Sequence, residues 1–318
     1  MVTFFAKRLG WSVFTVLLAT VLVFSAIQSL PGDAATQLLG QNATPSAVAT
    51  MRQQLGLDEP PVSRFFTWLG KALHGDFGNS LVGGGSVAGE VGSALVNTSL
   101  LAGITIVIGI LLSLVLGLVA GLTRDRWPDI SISTLALVGM SVPEFVVATV
   151  LVLLFSIYIP IFPAVVIAGQ NASLADLLPS VWLPAGALIC VLAAYIIRMM
   201  RTSVIDVMDS EFVRTAILKG NSTSRVVFKH LLPSAMLPTL NVIAMNIAWL
   251  VGGVVVVESI FNYPGIGTLM IRSVQTRDLP TILLITVMSA LTYVVCNLLA
   301  DFAAFLLNPR LRYPRSSK

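Results

Sequence analysis

The sequence predicts an all-α membrane protein with six transmembrane helices, and two observations carry that expectation: a shortage of charge, and a chain divided into long apolar runs. Of 318 residues, 56% are hydrophobic and 11% charged, with a mean hydropathy of +0.91. A soluble domain carries about a quarter charged residues. Five stretches contain no Asp, Glu, Lys or Arg: Leu9 to Gly32, Val91 to Thr123, Phe145 to Asn171, Leu177 to Ile197, and Leu279 to Ala300. A sixth, Val226 to Val257, carries Lys229 and His230 only at its start. About 18 to 20 residues, rising about 1.5 Å each, cross roughly 30 Å of hydrocarbon, so each stretch is long enough to span.

The first run follows Lys7 and Arg8, as a signal peptide would. Its length, about 22 residues, exceeds the roughly 7 to 15 of a signal's apolar region, so it reads as a retained anchor. Cys190 and Cys296 fall in different spans and read as small buried hydrophobes, which predicts neither a disulfide framework nor a metal site.

The charges set an orientation. With the N-terminus inside, residues 1–8, 124–130, 198–225 with Lys229, and 308–318 are cytoplasmic and hold 14 of the 19 basic residues. The outer pieces hold Arg52, Arg64, Lys71, Arg272 and Arg277, although residues 33–90 form the longest loop. Positive charge accumulates on the cytoplasmic side, so both termini are expected there. The net charge of +4 needs no nucleic-acid partner.

Residues 31–96 are too long for a linker and carry their own helical punctuation, which predicts a small extracytoplasmic cap. Thr44 suits an N-cap with Pro45 at the first helical position, and Gly56 falls where a helix ends after Leu55. Val62, Phe65, Phe66, Leu69 and Leu73 recur at helical spacing up to Gly75. That face is expected to lie on the outer mouth of the bundle or at the headgroup boundary, with Trp68 as an interfacial anchor. Val82 to Ser86 reads as a hinge or loop tip. The expected organisation is residues 1–30 for the cytoplasmic start and first span, 31–96 for the cap, 97–310 for a five-helix core with a cytoplasmic loop at 201–233, and 311–318 for a tail.

Within that loop, Asp209 or Ser210 can cap a helix from Glu211 to Lys219, with Gly220 just beyond. Phe212, Val213, Ala216 and Ile217 share a face, whereas Asp209, Arg214 and Leu218 point elsewhere. An apolar face on a short helix predicts a resting surface, either another protein or the inner lipid headgroups.

At this loop a family becomes legible. Ala216, three residues, Gly220, nine residues, then His230-Leu-Leu-Pro233 resembles the loop motif of permeases of binding-protein-dependent ABC importers, where Glu-Ala-Ala and Ile-x-Leu-Pro flank the glycine. Arg214-Thr215-Ala216 stands for Glu-Ala-Ala, as in the peptide-importer branch, and His230 stands for Ile. Other stretches resemble the dipeptide, oligopeptide and nickel permeases: Leu30-Pro-Gly-Asp33, Leu55 to Pro60, Gly75-Asp-Phe-Gly78-Asn-Ser80, Glu258 to Gly267, Arg277-Asp-Leu-Pro280, and Asn308 to Arg312. Ala34 and Asn308 replace the family's usual Pro and Asp.

The resemblance implies an ABC importer permease architecture in a bacterial plasma (inner) membrane. It implies that Glu211, Phe212, Arg214, Thr215, Ala216, Gly220 and Pro233 couple to a cytoplasmic ATPase, with the small Ala216 allowing close approach. It also implies that Asp33, Asp76, Phe261, Pro264 and Gly265 meet the binding protein or form an outer gate. The long segment after the first span marks one of two sister subunits. The implied partners are a second homologous permease, two ABC ATPase subunits or domains, and an extracytoplasmic binding protein. Dipeptides or oligopeptides are the expected cargo, with nickel, glutathione or another small solute as alternatives.

Glu144 lies within the third span in Ser141-Val-Pro-Glu-Phe145. A carboxylate there costs roughly 2.5 to 3.5 kcal/mol, so it faces a cavity or a polar partner. By resemblance Ser141 and Pro143 sit near the pore. Glu144 reads as pore-lining, with a structural hydrogen-bonding role as the alternative. Pro143 and Pro184 are candidate kinks, and Asn97, Asn241, Asn246 and Asn297 read as interhelical hydrogen-bond partners. His74 and His230 fall on opposite sides and cannot share a metal. The sole Gly-Lys pair, Gly70-Lys71, precedes Ala72 and makes no phosphate loop, so this chain is not expected to hydrolyse ATP, and the resemblance implies a non-catalytic pore subunit whose partners hold ATP and Mg. An ion-coupled secondary transporter would need more intramembrane carboxylates than Glu144. An intramembrane hydrolase would need His-Glu-x-x-His or paired acids, which the spans lack.

Overall fold

The computed structural model describes residues 2–307 apart from residues 31, 33, 41, 42, 168 and 170–172. Among them the regular structure is helical: α1 Val2–Ser29, α2 Ala34–Leu39, α3 Pro45–Gln54, α4 Pro61–Leu73, α5 Val87–Leu122, α6 Trp127–Ser141, α7 Glu144–Val152, α8 Leu174–Leu177, α9 Trp182–Met208, α10 Glu211–Leu218, α11 Thr223–Val226, α12 Leu232–Ile260, α13 Ile266–Thr276 and α14 Leu279–Leu307. Five apolar helical stretches are long enough to span: Gly10–Ser29, Val87–Leu122, Trp182–Met208, Thr223–Ile247 and Leu279–Leu298. The pair Trp127–Ser141 and Glu144–Tyr158 qualifies together as a sixth, as the sequence predicts, but it bends by 110°.

The bend falls at Pro143, one of the two candidate kinks. Pro143 has no N–H to continue the ladder and takes an extended conformation (φ −59°, ψ 145°), so α6 stops at Ser141 and Glu144 becomes the first residue of a new helix. The second arm closes in a π turn, Leu153–Tyr158. Pro184 makes no such break. It is the third residue of α9, where an N–H would lack a partner anyway.

The chain divides into two compact units. One comprises residues 99–166, 174–261 and 295–318, and its core is built on α9. The apolar stretch of α9 is 67% buried, against 11% for the first span. Ala193, Ala194 and Ile197 pack on Ala136 of α6, while Met200 and Val204 pack on Leu231 and Ala235 at the start of α12. α5 reaches α9 through glycines. A Cβ on Gly117 would fall 2.6 Å from the Met200 Cβ and 2.9 Å from the Ile197 carbonyl, and one on Gly121 would fall 2.6 Å from the Val204 Cβ. This small-xxx-small stripe lets the helices approach closely where no hydrophobic effect pulls them together. Gly121→Val is therefore expected to destabilise the purified protein by about 1 to 3 kcal/mol through overpacking, read as a lowered unfolding midpoint in detergent. An unchanged midpoint would show that α5 slides away without cost.

The other unit comprises residues 1–98, 167–173 and 262–294. Local chemistry punctuates its short helices as expected. The Thr44 hydroxyl accepts from the Ala47 N–H at 3.3 Å, and Gly56 (φ +63°) and Gly75 (φ +83°) end α3 and α4. Beyond them, the Leu57 N–H reaches the Arg52 carbonyl at 2.9 Å and the Asp76 N–H the Lys71 carbonyl at 3.1 Å.

The face of α4 differs from expectation. Phe65 is buried with Phe24 and Leu283, flanked by Trp68 and Leu69, whereas Val62, Phe66 and Leu73 are exposed. Trp68, expected as an interfacial anchor, is half-buried against Phe24, Phe65 and Leu283. The loop from Val82 to Ser86 is a tip held at its base: Ser80 N–H donates to the Gly85 carbonyl at 2.8 Å, and Val87 N–H to the Gly78 carbonyl at 3.1 Å.

Three distant motifs meet here. The buried Asp278 carboxylate accepts from the Ser80 hydroxyl at 2.6 Å, the Leu81 N–H at 3.2 Å and the Thr281 hydroxyl at 2.8 Å. Its neighbour Arg277, in a left-handed conformation (φ +57°), donates to the carbonyls of Leu30 and Gly32. Arg277-Asp278 thus ties Leu30, Gly32, Ser80 and Leu81 to the junction of α13 and α14.

Candidate functional site

The segment from the end of α9 to the start of α12 presents α10 on a supported frame. Met208 ends α9, and Asp209, at its C-cap, accepts from Arg124 at 3.3 Å. Ser210 then turns extended and starts α10, with its hydroxyl donating to the Val207 carbonyl at 2.5 Å rather than capping the helix. Gly220, at φ +75°, ends α10. The Ala216 carbonyl receives the Asn221 side-chain amide at 2.9 Å and its N–H at 3.4 Å.

α11 runs through a π turn, Val227–Leu231, directly into α12. The Leu232 N–H bonds the Val227 carbonyl, five residues back, because the ring of Pro233 cannot fit a normal α turn. Pro233 therefore widens a continuous helix rather than starting one.

The frame decides which side of α10 is available. Val213 and Ala216 are buried against Val226 and Val207. The methyl of Ala216 thus seats α10 on its own chain, which corrects the expectation that it faces a partner. Phe212, Ile217 and Leu218 are 48%, 54% and 81% exposed, and Leu218, expected to point elsewhere, is the most prominent apolar group on the outer surface. Glu211 and Arg214 pair at 3.7 Å beside it, but both are largely exposed and the pair adds little stability. Thr215 and Gly220 are exposed as well.

Behind the loop lies an ion pair that sequence reasoning missed. Asp129 of α6 is 2% exposed and takes both Arg201 Nε at 2.5 Å and Nη2 at 2.7 Å. The Asp125 N–H at 2.9 Å and the Ser133 hydroxyl at 3.0 Å complete its acceptor sites. An acid four residues after a left-handed Asp125 and four before a serine was the available signal, but its partner stands 72 residues away.

Ser141, Pro143 and Glu144 come together at the 110° bend. The Ser141 hydroxyl returns to the Leu137 carbonyl at 2.8 Å. Glu144 extends toward α12, where its Oε2 would lie 3.3 Å from a Cβ added to Gly253, beside the Trp249 ring. Gly253 leaves room for the carboxylate. Asn97, expected to bond between helices, donates instead to the Pro264 carbonyl in the loop between α12 and α13 at 2.8 Å, and Asn246 bonds its own helix at Val242.

Asp33 lies outside the described residues. Asp76 is exposed and accepts from the Gly78 N–H at 3.0 Å. Phe261, Pro264 and Gly265 are buried. The Phe261 carbonyl takes the Val166 N–H at 2.8 Å, and the Tyr263 hydroxyl between them donates to the Asn97 carbonyl at 2.8 Å. Among the described residues no cluster of His, Cys, Asp or Glu could hold a metal.

Residues 113–313 match the binding-protein-dependent transport system inner membrane component family, and residues 1–98 match its N-terminal companion. The glutathione transport system permease protein GsiC of Escherichia coli (strain K12) is 35% identical over 98% of this chain and 100% of its own. Its counterpart in Salmonella paratyphi A is 36% identical over the same shares. A solved structure titled as an amino acid ABC transporter with histidines matches with a TM-score of 0.52 and 16% identity over 68% of this chain and 94% of its own, which speaks for the fold alone.

Proposed function

Because the chain belongs to the inner membrane components of binding-protein-dependent transport systems, permease subunits of ABC importers, we propose that it forms half of a translocation pathway for short peptides. The other half is a second homologous permease. Two cytoplasmic ATPases hold ATP and Mg, and an extracytoplasmic binding protein delivers cargo. The observation that carries this reading is the mounting of α10: an exposed apolar outer surface on a helix anchored from behind by Val213 and Ala216.

A motor can move membrane helices only through a rigid contact. A displacement applied at Phe212, Ile217 and Leu218 passes through Val207 to α9 and through Val226 and the π turn to α12. α9 is the centre of its core, and α12 carries Gly253 against Glu144. ATPase closure would thereby reach the bend at Pro143, where Ser141 and Glu144 line the path.

The short-peptide class follows from full-length relatives named for glutathione, itself a tripeptide. The test is uptake of labelled glutathione, dipeptides, longer peptides and nickel by cells that lack their own importers and carry the complete transporter. Saturable ATP-dependent uptake of glutathione or a dipeptide is the expected result. Uptake of nickel alone would transfer the chain to the metal branch, and uptake of none would reject the substrate class.

The proposed orientation places both termini and α10 in the cytoplasm and α4 outside. In a background with Cys190 and Cys296 replaced by Ala, an impermeant thiol reagent is expected to label the Ser63→Cys protein in intact cells. The Ser222→Cys protein should react only after permeabilisation. Both positions are exposed, and Ser222 makes no capping bond. The reverse pattern would invert the topology.

A further inference from the structure

We propose that the unit containing α4 holds a phospholipid cavity selective for a zwitterionic phosphoethanolamine headgroup. A cavity of about 310 Å³ opens there, with Phe24, Trp68, Phe77 and Leu283 among its apolar walls and Glu59, Arg64, Lys71 and Asp76 around it. Its depth points to a lipid. Phe24 lies five residues before the end of α1 and Leu283 four residues after the start of α14, so both sit about 6 to 8 Å inside the ends of apolar spanning helices. That is the level at which acyl chains pass into headgroups. The apolar stretch of α1 is only 11% buried and leads to the cavity at Phe24, which gives an acyl chain a path.

The charges select the headgroup. Arg64, Trp68 and Lys71 follow one another along one stripe of α4. The Trp68 indole N–H between the two cations is closed off from solvent and has no hydrogen-bond partner among the described residues. Arg64 and Lys71 thus line the cavity from one stripe of α4, with the unpartnered indole N–H between them, and charge-assisted donors on phosphate oxygens are the strong kind. Two acids answer them. Glu59 is near enough to act on the Arg64 charge, and Asp76, which accepts from the Gly78 N–H through one oxygen, also lines the cavity. A primary ammonium satisfies both acids as a three-fold donor. A choline headgroup has no N–H to give, and a glycerol headgroup has no positive charge.

The transporter would be reconstituted in nanodiscs with equal parts of phosphatidylethanolamine, phosphatidylcholine and phosphatidylglycerol, and retained lipids counted by native mass spectrometry. Wild type is expected to keep one phosphatidylethanolamine. Retention should fall roughly tenfold in Arg64→Gln/Lys71→Gln and roughly threefold in Trp68→Phe, which removes the N–H together with the five-membered ring that carries it. Should the double variant fail to fold, Trp68→Phe decides alone. Unchanged retention in the folded variants, preferred retention of phosphatidylglycerol or phosphatidylcholine, or no retained lipid would overturn the proposal. So would displacement of the lipid by a short peptide, which would reassign the cavity to cargo.

Discussion

Asp129→Asn is expected to lower the stability of the purified protein by about 3 kcal/mol, the lower end of the range for breaking a buried ion pair, because Arg201 keeps 29% exposure. The substitution preserves shape but removes the charge, and it turns one acceptor oxygen into an amide donor facing the guanidinium. Arg201 then keeps its desolvation cost without compensation, and the first turn of α6 loses its bond to the Asp125 N–H or the Ser133 hydroxyl. Replacing both partners, Asp129→Leu with Arg201→Met, should recover most of the loss, since apolar residues of similar volume carry no unpaired charge. Unfolding of the parent, Asp129→Leu, Arg201→Met and the double variant in detergent closes a double-mutant cycle. Additive losses would mean that the two side chains do not act as a pair. Uptake should follow stability, because α6 holds one arm of the bend.

The second large effect separates the two sides of α10. Ala216→Glu places a carboxylate among the apolar side chains of Val213, Val226 and Val207, and burying an unpaired charge costs several kcal/mol. The helix is expected to leave its seat, with loss of both ATPase retention and uptake. That result alone would not distinguish an internal seat from an external interface. Leu218→Glu does, since Leu218 is 81% exposed and lies outside the buried cluster that seats α10. Its thermal unfolding should match the parent, while ATPase co-purification falls roughly tenfold or more if the residue lies at the centre of a docking surface. Parental ATPase retention with Leu218→Glu would return α10 to a helix resting on lipid headgroups. Gly220→Ala should act more weakly, at about 1 kcal/mol, because its role is the left-handed conformation that closes α10.

These expectations mark the boundary between what local chemistry reveals and what it hides. The apolar stretches, the Thr44 cap, the left-handed glycines after α3, α4 and α10, and the interruption at Pro143 follow from composition or from neighbours within a few residues. Each is set by a local constraint: hydrocarbon thickness, an unpaired N–H, a φ that only glycine adopts freely, or a missing donor. The loop motif is equally legible, and with it the family, because its spacing is contained in one segment.

Which face of a helix turns inward is a different matter. Periodicity grouped Phe65 with Phe66 and Ala216 with Phe212, since residues at helical spacing share an apolar stripe whatever covers it. Only packing divided them, because Phe24 and Leu283 fill the space beside Phe65 alone and Val226 leaves room for a methyl at Ala216. The same holds for the buried acids. Asp129 and Asp278 look like ordinary loop residues in the sequence, and their partners Arg201 and Ser80 lie 72 and 198 residues away. By itself the sequence determined that this chain crosses the membrane as helices and carries a permease loop. The tertiary structure alone decided which charges are buried, how far α6 and α7 bend, and which side of α10 remains for a partner. Those outcomes depend on contacts between distant segments, which no local pattern encodes.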